Sequence, residues 1–117
     1  MAFPQSTEVT VTTIADGSAT EYTSVIRGKI IAVKYEKTDY ADTADFTITT
    51  ETSLRDVWVD TNITATETVV PKELNDGTTG ADLTGVYDHI RVFNERVKIV
   101  IAGGGDTKTG TFTVFYE

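Results

Sequence analysis

Three aspartates spaced three apart stand in "TDYADTADFTITTET", residues 38–52: Asp39, Asp42 and Asp45. Converging carboxylates can grip a hard cation or pass a proton between them. The flanking residues argue against convergence here. After Asp45, apolar residues alternate with threonine, which is a strand pattern, and along an extended chain Asp39 and Asp45 share one face while Asp42 takes the other. Only a tight loop would gather all three around an ion, and the spacing is not that of an EF-hand calcium loop. "DTADFTIT" at 42–49 is echoed by "DTKTGTFTV" at 106–114. The repeat predicts a turn habit in which the Asp side chain caps backbone amides as a strand begins. A bound calcium or similar ion is the alternative.

Other chemistry-bearing residues are thinner. "GGGDTKTG" (103–110) has the glycines of a phosphate loop but not its Gly-Lys-Ser/Thr core, and an apolar strand pattern follows it rather than a helix. A flexible hairpin loop is expected. His89 is the single histidine, too few for a multi-histidine metal site, and Ser6, Ser18, Ser24 and Ser53 all lie outside a Gly-x-Ser-x-Gly turn. His89 then reads as a surface or loop-packing residue. Among 18 acids, nothing marks a glycosidase-type pair. The expectation is a protein that is not an enzyme, with no metal and no cofactor.

Two aromatics point instead to surface contacts. If Val57 and Val59 face inward, alternation sends Trp58 outward beside Asp56 and Asp60. A large aromatic on a polar face suits a contact anchor between chains or a sugar-stacking platform. Packing under the 74–88 segment is the bland alternative. Phe115 lies opposite Phe112, Val114 and Tyr116 on the final run, and raises the same question.

The elements that must position these residues are strands. The chain holds 23 Thr, 13 Val and 9 Ile against 3 Leu and 1 Met; residues branched at Cβ suit a pleated surface, whereas helical cores use Leu. Alternating runs appear at 7–14, 21–26, 29–37, 45–51, 56–62, 66–73, 90–102 and 111–117, with Asp16-Gly17 turning between the first two as a hairpin. Ile31, Val33 and Tyr35 share an inward face, as do Phe46 and Ile48. Pro71 stops its run or pushes it to a sheet edge. Residues 74–88 show no clean period and admit a short helical turn. The last two runs read as a closing hairpin. About eight antiparallel strands follow, in a single domain over 1–117: an all-β sandwich, jelly-roll or Ig-like, with a small barrel as runner-up. Residues 1–6, with Pro4, form a candidate extended arm.

At 117 residues, the chain can bury roughly two thirds of its unfolded surface. It has no cysteine, which removes disulfides and thiol chemistry. A net charge of −8 argues against direct nucleic-acid binding, and the ten basic residues are scattered. No apolar run reaches membrane-spanning length. "MAFPQSTEV" lacks the basic start and apolar middle of a signal peptide, so classical secretion is not indicated.

Three stretches, "MAFPQSTEVTVTT", "VKYEKTDYADTADFTIT" and "ERVKIVIAGGGDTKTGTFTVFYE", resemble small cysteine-free β proteins encoded among the structural genes of tailed bacteriophages. The resemblance spans much of the chain and carries no catalytic signature, so no residue role is transferred. It implies a virion component assembled in the host cytoplasm, foremost a capsid decoration (cement) protein. Its partners would be further copies of itself in a homo-oligomer and the major capsid protein. A neck, tail or fibre-attachment role is the alternative, or a carbohydrate- or receptor-binding module.

Overall fold

The computed structural model describes residues 3–117, and every described element of regular structure is a strand. Eleven are present: β1 (Gln5–Thr12), β2 (Ala19–Tyr22), β3 (Ile26–Lys37), β4 (Ala44–Thr50), β5 (Asp56–Ile63), β6 (Glu67–Val69), β7 (Lys72–Asp76), β8 (Asp82–His89), β9 (Arg91–Glu95), β10 (Val97–Ala102) and β11 (Thr109–Tyr116). Eight of them make two antiparallel sheets, in the orders β1-β11-β3-β6 and β2-β10-β4-β5.

The pairings are nested. β1 pairs β11, β2 pairs β10, β3 pairs β6 and β4 pairs β5. The chain thus forms one long folded hairpin, wrapped so that β3 lies beside β11 and β4 beside β10. That is the strand order of a jelly roll rather than of the Ig-like alternative. The remaining strands, β7 to β9, are inserted in the returning limb between β6 and β10. β9 pairs the first residues of β3, while β7 and β8 pair with each other alone.

Nested pairing overturns both hairpins expected at the ends of the chain. β1 and β2 enter opposite sheets, and so do β10 and β11, because each chain neighbour finds its ladder partner on the returning limb. The 90–102 run is two strands, not one, broken where Asn94 takes a left-handed φ of 56° before Glu95-Arg96. Residues 74–88 hold no helical turn; the β7–β8 hairpin occupies them. β6 ends before Pro71 and sits at a sheet edge, as a residue without an N–H requires. Gln5 and Ser6 belong to β1, opposite Tyr116 and Phe115, so the arm shrinks to exposed Phe3 and Pro4, with Met1 and Ala2 outside the described residues.

Between the sheets lies a core of aromatic and β-branched side chains. Tyr35 is its hub, packed 4.8 Å from Phe46, 5.2 Å from Phe112 and 5.9 Å from Tyr40, centroid to centroid. Gly110 makes this stack possible: a Cβ there would stand 2.5 Å from the Tyr40 ring and 2.8 Å from that of Tyr35. Val11, Val33 and Val114 from one sheet, and Ile48, Ile99 and Ile101 from the other, complete the layer. Each such side chain contributes about 1.5–3 kcal/mol on leaving water. In β3 the inward residue is Ile30 rather than Ile31, because a register shift opposite Phe115 and Tyr116 leaves Ile31 as an extra residue.

Candidate interaction surface

The three aspartates have three separate partners. Asp39 Oδ1 accepts the Thr109 N–H at 2.7 Å, and the Asp39 N–H donates to the Thr109 carbonyl at 3.2 Å, so this residue caps the first position of β11. Asp42 Oδ1 accepts from Lys37 Nζ at 2.7 Å. Asp45 Oδ1 accepts the Asn62 N–H at 3.0 Å, across the β4–β5 ladder. Among the described residues, no three His, Cys, Asp or Glu side chains gather as a metal would need. Capping does occur, but not by the neighbouring Asp-Thr pair: Asp42 is taken by a lysine, and Asp106 accepts the Thr107 hydroxyl.

The 103–110 loop is not a flexible hairpin. It crosses from one sheet to the other and is held on both sides. The Gly104 N–H donates to Gly17 O, the Ala41 N–H to Gly104 O and the Thr43 hydroxyl to Gly103 O, all at 2.8–3.0 Å.

Trp58 is in the core, contrary to the outward placement that alternation predicts. Ile48 pairs Trp58 and Thr49 pairs Asp56, so Val57 is an extra residue on β5. This bulge resets the phase: Val57 and Trp58 both turn inward and Val59 points out, 57% exposed against 7% for Trp58. The indole packs edge-on to Phe46 at 5.3 Å. It is therefore neither an interface anchor nor a sugar platform. Phe115 does face outward, 36% exposed, between Ser6 and Ala32 on the outer face of its sheet. His89 is half-buried at the base of the β7–β8 hairpin, opposite Lys72.

A buried carboxylate escaped sequence reasoning. Glu95 is almost fully covered, yet its oxygens accept four hydrogen bonds at 2.7–2.9 Å: the N–H groups of Thr52, Ser53 and Phe93, and the Ser53 hydroxyl. Burial works to raise its pKa, but the donated N–H and O–H groups outweigh it and hold the carboxyl below the ordinary glutamate value. Beside it, Arg96 grips Glu51 through two guanidinium nitrogens and lies 4.0 Å over the Tyr22 ring. Together these groups fasten the 51–55 loop to the β9–β10 corner. The available signal was Asn94-Glu95-Arg96, three polar residues interrupting an apolar run.

The β7–β8 hairpin is the surface with the least internal justification. Neither strand has a second ladder partner, and free two-stranded hairpins are marginal in water. The molecule measures 46 × 29 × 23 Å, and its radius of gyration of 14.7 Å exceeds the about 13 Å typical of a compact chain this long. Leu74 pairs Tyr87 but Asp76 pairs Asp82, which leaves β8 with surplus residues around Gly85, held at a φ of 74°. Leu83 and Val86 within that irregularity, and Tyr87 at its edge, are exposed at 42%, 44% and 61%. At the base, Glu73 meets Arg55 at 2.8 Å and Asp88 meets Arg91 at 3.5 Å. Chiefly through the His89 N–H it accepts, Asp88 is held below the usual aspartate range.

No protein-family model matches the chain, and no curated protein matches it either.

Proposed function

We propose that this chain is a non-enzymatic structural component of a tailed-bacteriophage particle, foremost a capsid decoration protein that cements the shell through homo-oligomer and capsid contacts. The resemblance set out from its sequence supplies the particle. The inserted hairpin is the observation that carries the adhesive role: it has no ladder partner beyond itself and leaves three large apolar side chains of one short strand in water, while Val59, Val70 and Phe93 on the roll are exposed as well. Exposed apolar clusters of this kind mark contacts with other molecules. A stable contact needs on the order of 1,000 Å² of buried surface, to which the exposed apolar side chains of the hairpin would contribute.

Mass spectrometry of purified particles, with copy number, tests the reading. A copy number on the scale of the shell lattice supports decoration. A number that fits one ring or one fibre moves the protein to the neck, tail or fibre. Absence from the particles overturns the structural reading altogether.

A further inference from the structure

The tip of the β7–β8 hairpin sets Asp76 directly opposite Asp82, both exposed. Like charges opposed across a ladder destabilise it. The acids at the base have arginine partners, Arg55 for Glu73 and Arg91 for Asp88, whereas among the described residues Asp76 and Asp82 have none. Within the hairpin, negative charge without an ion-pair partner is thus confined to the tip, on the same strand as exposed Leu83, Val86 and Tyr87. In the free chain this combination works against the hairpin twice, by repulsion and by apolar exposure. Both terms reverse against a surface that is basic and apolar.

We infer that the hairpin tip docks into a basic, apolar-lined surface on a different protein, with Leu83, Val86 and Tyr87 as anchors and Asp76 and Asp82 as the charged contact. The inference rests on the structural reading above, under which that protein is the shell protein of the particle. A second copy of this chain is the wrong occupant on charge. Residues 72–89 hold one lysine against four acids, a net −3 out of −8, so the rest of the molecule that would receive them is itself acidic at −5. Five of the ten basic residues are already engaged in ion pairs. Opposed potentials of one sign slow association and penalise the complex.

Two variants test this, Asp82→Lys and Tyr87→Ser, each checked for an unchanged melting profile. The measurement is co-sedimentation with particles prepared without the protein, at low and high salt, alongside hydrogen exchange of the hairpin amides in the free chain. Wild-type binding is expected to weaken as salt rises, because the charged contact is screened. Asp82→Lys places a cation against Asp76, so it should slow exchange in the free hairpin while reducing particle binding by about tenfold or more; a merely structural role would move both the same way. Tyr87→Ser should lose a similar factor with net charge unchanged. Particles that contain the protein yet bind both variants as tightly as wild type overturn the inference alone. Self-association abolished by Tyr87→Ser also overturns it, by making the occupant a second copy. If mass spectrometry finds the particles free of the protein, the inference and the structural reading fall together.

Discussion

The roll and its inserted hairpin are built from similar residues under opposite constraints. In the roll, Tyr35, Phe46 and Phe112 each touch neighbours from both sheets, and every long strand is bonded into a sheet that packs on the other. In the hairpin, Leu83, Val86 and Tyr87 keep their apolar surface in water, and two aspartates face each other across the ladder. The hairpin spends stability that the roll supplies, which is the pattern expected of a segment retained for contact rather than for folding.

The largest effect should separate the two regions outright. Phe46→Ala removes the ring shared by Tyr35, Trp58 and Phe112 and is expected to cost about 3–5 kcal/mol in urea unfolding. The triple change Leu83→Ser, Val86→Ser and Tyr87→Ser should stay within about 0.5 kcal/mol per site, as surface positions do. A comparable loss from both would mean that the hairpin is part of the core.

Next in size is the buried carboxylate that ties the 51–55 loop to the roll. Glu95→Gln puts an amide NH2 where N–H groups already point, and is expected to cost about 1–3 kcal/mol at neutral pH. Because the folded carboxyl binds its proton less readily than the unfolded one, this contribution is complete above the ordinary glutamate value of about 4.3 and fades as pH falls through the lower folded value. Melting curves of the two proteins should therefore converge in acid. A gap that stays constant down to strongly acidic pH would show that the carboxylate charge is not what holds the loop.

A finer contrast lies inside the core. The Tyr40 hydroxyl donates to Val11 O at 2.6 Å, so Tyr40→Phe should lose about 1 kcal/mol. The Tyr35 hydroxyl is buried with no hydrogen-bond partner among the described residues, and burial first, then Asp39, pushes its pKa up to about 12. Tyr35→Phe should be neutral or stabilising, since an unpaired buried hydroxyl is a cost removed. Equal losses from the two substitutions would assign both hydroxyls the same role. The smallest expected effect is at the hairpin tip, where Asp82→Asn should gain about 0.2–1 kcal/mol of local protection in hydrogen exchange by relieving Asp76.

The chain's own order of residues decided its class. Thr, Val and Ile in alternation cannot settle as helices, so strands were legible at nearly every run, as were inward Phe46 and Ile48 and outward Phe115. Period two is a property of one extended backbone, and it survives only while the register with the neighbouring strand is unbroken. Pairing is a property of two segments far apart in the chain. That is why the bulges at Val57 and Ile31, which carried Trp58 and Ile30 inward, could be seen only once β4 and β11 were alongside. For the same reason, capping was expected of the Asp-Thr pairs at Asp42 and Asp106, whereas the cap is Asp39, on Thr109, 70 residues away. The hairpin was hidden for a local reason, its bulge around Gly85 having erased the alternation that would have announced it. Which sheet each strand joined, and which apolar side chains were left in water, depended on how the long folded hairpin rolled up, a choice made by the summed packing of both sheets rather than by any one stretch of residues.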